Sequence, residues 1–161
     1  MPAKKLKEFL DSHKVKYTTV THPRAYTAQE IASLAHVHGD EFAKTVIAKV
    51  DGEMVMAVLP ASCHVDLRLL KEAAKGKKIA LATETDFRDR FPGCETGAMP
   101  PFGQLYGMPV YVEENLTREK DIAFNAGTHE ELIRLAYSDF AKLVKPKVAQ
   151  FATTGEAALR L

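Results

Sequence analysis

Three places in the sequence combine residue types that could do chemistry. The first is Lys44, which opens the run AKTVIAKV. If that run is a strand, its side chains alternate, and Lys44 shares a face with Val46, Ala48 and Val50. An ammonium at the edge of an apolar face has two readings. Either it snorkels to water at the strand end, or it stands at the mouth of a pocket and meets a phosphate or carboxylate there. The second place is Gly97-Ala98-Met99-Pro100-Pro101, inside a stretch of eleven residues, GCETGAMPPFG, with three glycines and two adjacent prolines. Proline fixes φ and removes an N–H donor, whereas glycine lets the backbone come close to a ligand. The loop is either a plain connector or a rigid set of carbonyls and amides. The third is Asn125-Ala126-Gly127-Thr128-His129. Gly127 permits a sharp turn that projects Thr128 and His129 from a strand end, and His129 is either structural or faces a ligand.

Other chemistries fit the sequence less well. His36 and His38 form an HxH pair, but no second pair stands at zinc-ligand spacing and neither HExxH nor CxxC occurs. No metal and no cofactor is therefore expected. Cys63 is followed by His64, yet neighbours on a strand point to opposite faces, which opposes a nucleophile–base pair. The sequence has no GxSxG elbow and no GxxxxGK[ST] phosphate loop. Cys63 and Cys94 lie far apart and read as reduced cytosolic thiols.

The elements that must position these residues are legible from periodicity. Leu6, Phe9 and Leu10 at helical spacing predict an amphipathic helix over 3–13, and 16–21 reads as a strand ended by Pro23. Thr27-Ala28-Gln29-Glu30 has the form of a capping box, opening a helix that uses Ile31, Leu34 and Ala35 and ends at Gly39. Asp51-Gly52 between two apolar runs predicts a tight hairpin. Asp66 caps a helix bearing Leu67, Leu70 and Ala74; a strand over 78–82 and a short helix over 85–91 follow. Beyond the proline-rich loop, strands are expected over 109–112, 122–126 and 131–137, then a helix capped by Ser138 and ending at Leu143. Hairpins mixed with helices, without strict alternation, predict an α+β fold with a mixed, largely antiparallel sheet that closes in a barrel-like way and is flanked by helices.

Composition bounds the rest. The chain has 161 residues, 46% hydrophobic and 27% charged, an ordinary globular balance that needs no staple to hold a core. We expect one domain over 1–151 and a tail over 152–161. No apolar run reaches membrane-spanning length and no signal-peptide core is present, so a cytoplasmic protein without a membrane partner is expected. A net charge of +1 gives no general pull toward nucleic acid. Lys71, Lys75, Lys77 and Lys78, and later Lys142, Lys145 and Lys147, are local basic clusters that read as solvated surface.

Taken in this order, AKTVIAKV with Lys44, the GxxxP loop Gly97 to Pro101, and the turn Gly127 to His129 resemble the YbaK family. These are aminoacyl-tRNA editing domains related to the insertion domain of bacterial prolyl-tRNA synthetase, and the resemblance runs from about Leu6 to Phe151. It implies a free-standing trans-editing deacylase that hydrolyses the ester of a mischarged tRNA carrying a small amino acid: alanine, serine, threonine or cysteine, with tRNA-Pro as a carrier. It further implies that Lys44 holds the phosphate of the terminal adenosine. Gly97, Ala98, Met99, Pro100 and Pro101 would position the ribose hydroxyl and the attacking water, with Lys44, Gly97 and Pro101 as the catalytic positions. Gly127, Thr128 and His129 would border the amino-acid pocket. The implied partners are the acceptor end of tRNA and, optionally, a synthetase, with no DNA. Two other functions compete: a non-catalytic module binding a nucleotide or tRNA end, and a thiol hydrolase using Cys63 or Cys94.

Overall fold

The structure is a computed structural model and describes residues 4–24, 40–91, 94 and 98–154. The helix expected between Thr27 and Gly39, His36, His38 and Gly97 lie outside the described residues. The chain opens with α1 (Lys4–Ser12), which buries Leu6 and Leu10 and leaves its lysines to solvent. Strand β1 (Tyr17–Thr21) follows. Strands β2 (Ala43–Val50) and β3 (Glu53–Pro60) form the expected hairpin in full register, from Ala43 opposite Pro60 to Val50 opposite Glu53. At its turn Asp51 has φ 51° and Gly52 φ 88°, the two positive values that a type I′ turn requires. The Asp51 carboxylate also accepts from the backbone N–H groups of Lys77 and Lys78, at 2.9 and 2.8 Å, and so draws the next strand to the sheet edge.

After β4 (Cys63–Val65), Asp66 caps α2 (Leu67–Ala74) by accepting from the Leu69 N–H at 3.1 Å. Strand β5 (Ile79–Leu81), the one-turn helix α3 (Glu84–Phe87) and a 3₁₀ turn at Arg88–Arg90 lead into the proline-rich loop. The second half holds β6 (Val110–Glu113), β7 (Asp121–Asn125), β8 (Glu131–Ala136), α4 (Tyr137–Val144), β9 (Lys147–Ala149) and β10 (Ala152–Thr154).

The strands make a five-stranded sheet in the order β5-β2-β3-β6-β9, a three-stranded sheet β1-β8-β7 and a pair β10-β4. Pairing is antiparallel except for β3–β6 and β6–β9. A parallel bridge between Phe42 and Ala123 joins the two larger sheets. They wrap the main core, where Ile47, Val58 and Val112 meet Phe124, Ile133 and the aromatic ring of Phe140. A second core lies on the opposite face of the five-stranded sheet, where Ala48, Ala57, Leu59 and Tyr111 pack with Leu70 and Phe151. The result is the mixed α+β, barrel-like fold that the element order predicts.

Two features differ from expectation. Ser138 does not cap the last helix: the helix begins at Tyr137, and Ala136 is its cap residue, with no side-chain cap bond. The Tyr137 N–H instead donates to the Lys120 carbonyl at 2.9 Å, so a backbone partner satisfies the helix start that a hydroxyl would otherwise serve. Ala152–Thr154, within the residues expected to form a tail, is strand β10 and pairs with β4, Thr153 opposite His64.

That closing segment is held by Glu113. The residue is 3% exposed, and its Oε2 accepts from the N–H groups of Phe151 at 2.6 Å and Ala152 at 2.8 Å. Removing a buried side-chain acceptor orphans both donors. Glu113→Ala is therefore expected to cost about 2–3 kcal/mol, or roughly 5–10 °C in Tm for a chain of this size. Glu113→Gln, which keeps an acceptor, should lose less. A thermal melt of both variants checks this, and an Ala variant that melts like the wild type contradicts it.

Candidate active site

The turn between β7 and β8 meets the proline-rich loop. The Ala126 N–H donates to the Glu131 carbonyl at 3.0 Å, which closes the turn. Gly127 has φ 97°, a conformation that side-chain-bearing residues rarely adopt. With the backbone so turned, the Gly127 N–H donates to the Ala98 carbonyl at 2.9 Å. The proline-rich loop and the glycine-histidine turn, 29 residues apart at these two positions, are thus joined directly. Thr128 is half-buried, and its Oγ1 accepts from the Glu130 N–H at 3.3 Å. His129 is 5% exposed. On the other flank of the turn, the His22 N–H donates to the Glu130 carbonyl at 3.0 Å.

The loop is fixed from below. Ala98, Met99, Pro100, Pro101 and Phe102 are all buried. The Phe102 N–H donates to the Pro100 carbonyl at 2.9 Å, and its ring packs against Phe124 and Phe140, each with centroids 5.5 Å away. Gly103 has no room for a side chain, since a Cβ there would stand 2.1 Å from the Met108 carbonyl oxygen. Two prolines and an aromatic anchor therefore hold the loop's carbonyls in place before any ligand arrives.

Lys44 reaches the same end of the strands. Phe42 bridges Ala123 in parallel, the Ala123 N–H donates to the Glu41 carbonyl at 3.0 Å, and Arg134 pairs with Glu41. Two residues further along each chain come Lys44 and Asn125, the second of which begins the turn. Lys44 is half-buried opposite Leu59, on the face that carries Ala48 and Val50 into the second core. Burial pushes its ammonium pKa below the ordinary value of 10.5, and the nearby Cys63 sulfur opposes this only in part. Among the described residues its Nζ makes no hydrogen bond or ion pair.

The thiol alternative fares poorly on geometry. Cys63 is 3% exposed and packs in the second core, while its neighbour His64 is exposed. Burial pushes the pKa of both Cys63 and Cys94 up, which keeps each a thiol, the poorer nucleophile. Among the described residues, no group of three His, Cys, Asp or Glu side chains is placed to hold a metal ion.

Two buried polar residues beside the turn, His22 and Asn125, each 8% exposed, were not marked by sequence reasoning as site residues in their own right. Asn125 reads as the start of a turn, and His22 falls between the strand over 16–21 and Pro23. The burial of a lone polar residue leaves no periodic trace.

A fold of this kind is found in solved structures. It matches the crystal structure of hypothetical protein APE2540 with a TM-score of 0.83 at 20% identity, over 93% of this chain and 100% of that one. It also matches a structure reported as a candidate trans-editing enzyme for prolyl tRNA synthetase, with a TM-score of 0.81 at 20% identity, over 94% and 97%. The chain belongs to the aminoacyl-tRNA editing domain family, which residues 22–143 match. Among relatives, it is 28% identical over 147 residues to the multifunctional Ser/Thr-tRNA deacylase ProXp-y of Escherichia coli K12, covering 86% of this chain and 85% of the relative. It is 25% identical over 142 residues to the prolyl-tRNA editing protein ProX of Acetoanaerobium sticklandii, covering 84% and 86%.

A desolvated ammonium without a partner costs stability. Because the folded pKa of Lys44 lies below 10.5, the folded state disfavours the charged form. The penalty is present at neutral pH and fades as pH rises from the lowered value through 10.5. Lys44→Met, which keeps the apolar stem, is expected to melt at or above wild type at neutral pH, with the gap narrowing toward pH 10.5. Thermal melts across that range check this. A variant several degrees less stable at neutral pH would show that Lys44 is held by a structural contact.

Proposed function

We propose that this protein is an aminoacyl-tRNA deacylase acting in trans, hydrolysing the ester between a small amino acid and the terminal adenosine of a mischarged tRNA. The observation that carries the reading is the Gly127-to-Ala98 hydrogen bond at 2.9 Å. It sets a stiff backbone cradle against the turn bearing His129, at the strand end where Lys44 stands without a partner among the described residues. In this reading Lys44 holds the phosphate of the terminal adenosine. Backbone groups of the loop from Gly97 to Pro101 orient the ribose hydroxyl and a water. Water adds to the ester carbonyl, the tetrahedral oxyanion collapses, and the ribose oxygen leaves with a proton, giving free amino acid and uncharged tRNA. An aminoacyl ester is already activated, so positioning and fixed dipoles supply most of what the reaction needs. Buried Ala98 and Met99, with Gly127, Thr128 and His129, line the amino-acid side and admit a small side chain. The activities named for the relatives, Ser/Thr-tRNA deacylation and prolyl-tRNA editing, support this class. Serine, threonine, alanine and cysteine are the substrates to compare, with tRNA-Pro the first carrier to test and a synthetase an optional partner.

Single-turnover deacylation against such a panel tests the reading. The wild type should hydrolyse at least one mischarged tRNA. Lys44→Ala should stay folded yet lose about 100-fold or more, because the lost charge-assisted contact misplaces the ester. Lys44→Arg should rescue poorly, its planar fork being a different shape from a compact ammonium. His129→Ala should reorder the substrates rather than slow all equally. A folded Lys44→Ala protein working at the wild-type rate removes the phosphate-anchor role; binding of tRNA ends without any turnover leaves a non-catalytic module.

A further inference from the structure

The register of the three-stranded sheet places two bare hydrogen-bond acceptors on one face, at the end that carries the turn. One face of the sheet feeds the main core through Tyr17, Ile122, Phe124, Ile133 and Leu135. Alternation puts Val20, Leu132 and Asn125, which are paired in one cross-strand row, on the opposite face. His22 is two residues beyond Val20 and so lies on that face too. The isolated bridge of Phe42 with Ala123 lies on the β7 side of this row, and Lys44 follows Phe42 by two residues. The order across the paired strands is Asn125, Leu132 and then Val20 on β1, with His22 just beyond. Successive strands stand about 4.8 Å apart, so the row from Asn125 to β1 spans on the order of 10 Å.

His22 is the informative member. Its Nδ1 lies 2.8 Å from the Pro23 carbonyl oxygen. A carbonyl can only accept, so Nδ1 carries the proton, and in the neutral ring Nε2 is left as an acceptor. That Nε2 is fully buried and has no hydrogen-bond partner among the described residues. Asn125 Oδ1, two strands away on β7, is likewise buried and without a partner among the described residues. Native structures rarely leave such atoms unmet, and two on one face of one strand end point to a donor-bearing ligand. The His22 backbone N–H is bonded to the Glu130 carbonyl, which holds the imidazole beside the turn that carries His129.

We infer that His22 Nε2 accepts a hydrogen bond from the α-amino group of the substrate, making a free α-amine a condition for fast hydrolysis. The inference rests on the deacylase reading and adds to it the feature of the acyl group that is recognised. On that reading the phosphate sits at Lys44 and the acyl group at the turn. The part of the substrate that reaches the β1 side is then the amino acid, whose ammonium offers three N–H donors. Asn125, nearer Lys44, faces the ribose side. A site built to accept from an N–H rejects the analogue lacking it far more strongly than a pocket rejects a change of one methylene.

The test is single-turnover hydrolysis of alanyl-tRNA against propionyl-tRNA, in which a methyl group replaces the amine at nearly the same size. Wild type, His22→Phe and His22→Gln are compared, each with a thermal melt. The quantity read is the alanyl-to-propionyl rate ratio relative to wild type, in which the intrinsic reactivity of the two esters cancels. His22→Phe keeps a ring but removes the acceptor; it should slow the alanyl ester about 10- to 100-fold and the propionyl ester far less, collapsing the ratio. His22→Gln keeps an acceptor near the position of Nε2 and should retain most of the ratio. Equal slowing of both esters by His22→Phe, or a ratio as low in the Gln variant as in the Phe variant, overturns the inference while leaving the deacylase intact. A variant that changes serine against alanine preference but not this ratio also overturns it, assigning His22 to the side chain. A wild type inert toward every aminoacyl ester overturns the deacylase reading itself, and this inference with it.

Discussion

The candidate site depends on one backbone hydrogen bond, from the Gly127 N–H to the Ala98 carbonyl. Neither segment would make a site alone. The proline-rich loop is stiff but belongs to a long connection between α3 and β6, and the turn belongs to a separate sheet. Gly127 sits at the junction with φ 97°, a backbone conformation that glycine adopts without a Cβ penalty. Their joining requires the loop to be held at the right height, which Phe102 achieves by packing on Phe124 and Phe140. The same aromatic cluster supports β7 from inside, so the core sets the relative position of both halves. A chemistry that relies on positioned backbone rather than on an acid–base side chain demands this kind of over-determined support.

Electrostatics supplies the complementary element. Lys44 sits where strand pairing buries half of it and the described residues offer it no counter-charge, so its ammonium is both destabilising and available. Arg134, on β8, is by contrast paired with Glu41. That ion pair helps tie β8 to the segment before β2, and thereby fixes Lys44 at the turn end of the sheet. In the proposed function, a half-buried cation with no counter-charge among the described residues is what an anionic group of the substrate would meet. A phosphate would relieve the same desolvation that lowers the Lys44 pKa.

Much of this was legible in the sequence because it rests on local rules. The Asp51-Gly52 turn, the Asp66 cap and the alternation that gave Lys44 its face are all fixed by chemistry within a few residues. The short strands Cys63–Val65, Lys147–Ala149 and Ala152–Thr154 were not legible. Three residues carry no measurable alternation, and these strands exist through tertiary pairing: Lys147–Ala149 with β6, and Cys63–Val65 with Ala152–Thr154, whose Ala152 N–H is also held by Glu113. Ser138 misled for a related reason: a hydroxyl near a helix start looks like a cap, but tertiary structure supplied the Lys120 carbonyl to Tyr137 instead. Of the site, the residue types in the loop and turn were visible and their contact was not, because nothing in either segment encodes the other's distance. His22 and Asn125 became candidates only once burial and register were known.

The most direct test is a crystal structure of the wild type with an amide-linked, non-hydrolysable 3′-aminoacyl-adenosine 5′-monophosphate. The account predicts a phosphate oxygen within about 3 Å of Lys44 Nζ, with the acyl carbonyl lying between the backbone of the loop ending at Pro101 and the turn from Gly127 to His129. A well-ordered ligand whose phosphate lies away from Lys44, or whose acyl group sits remote from the Ala98–Gly127 junction, would contradict it.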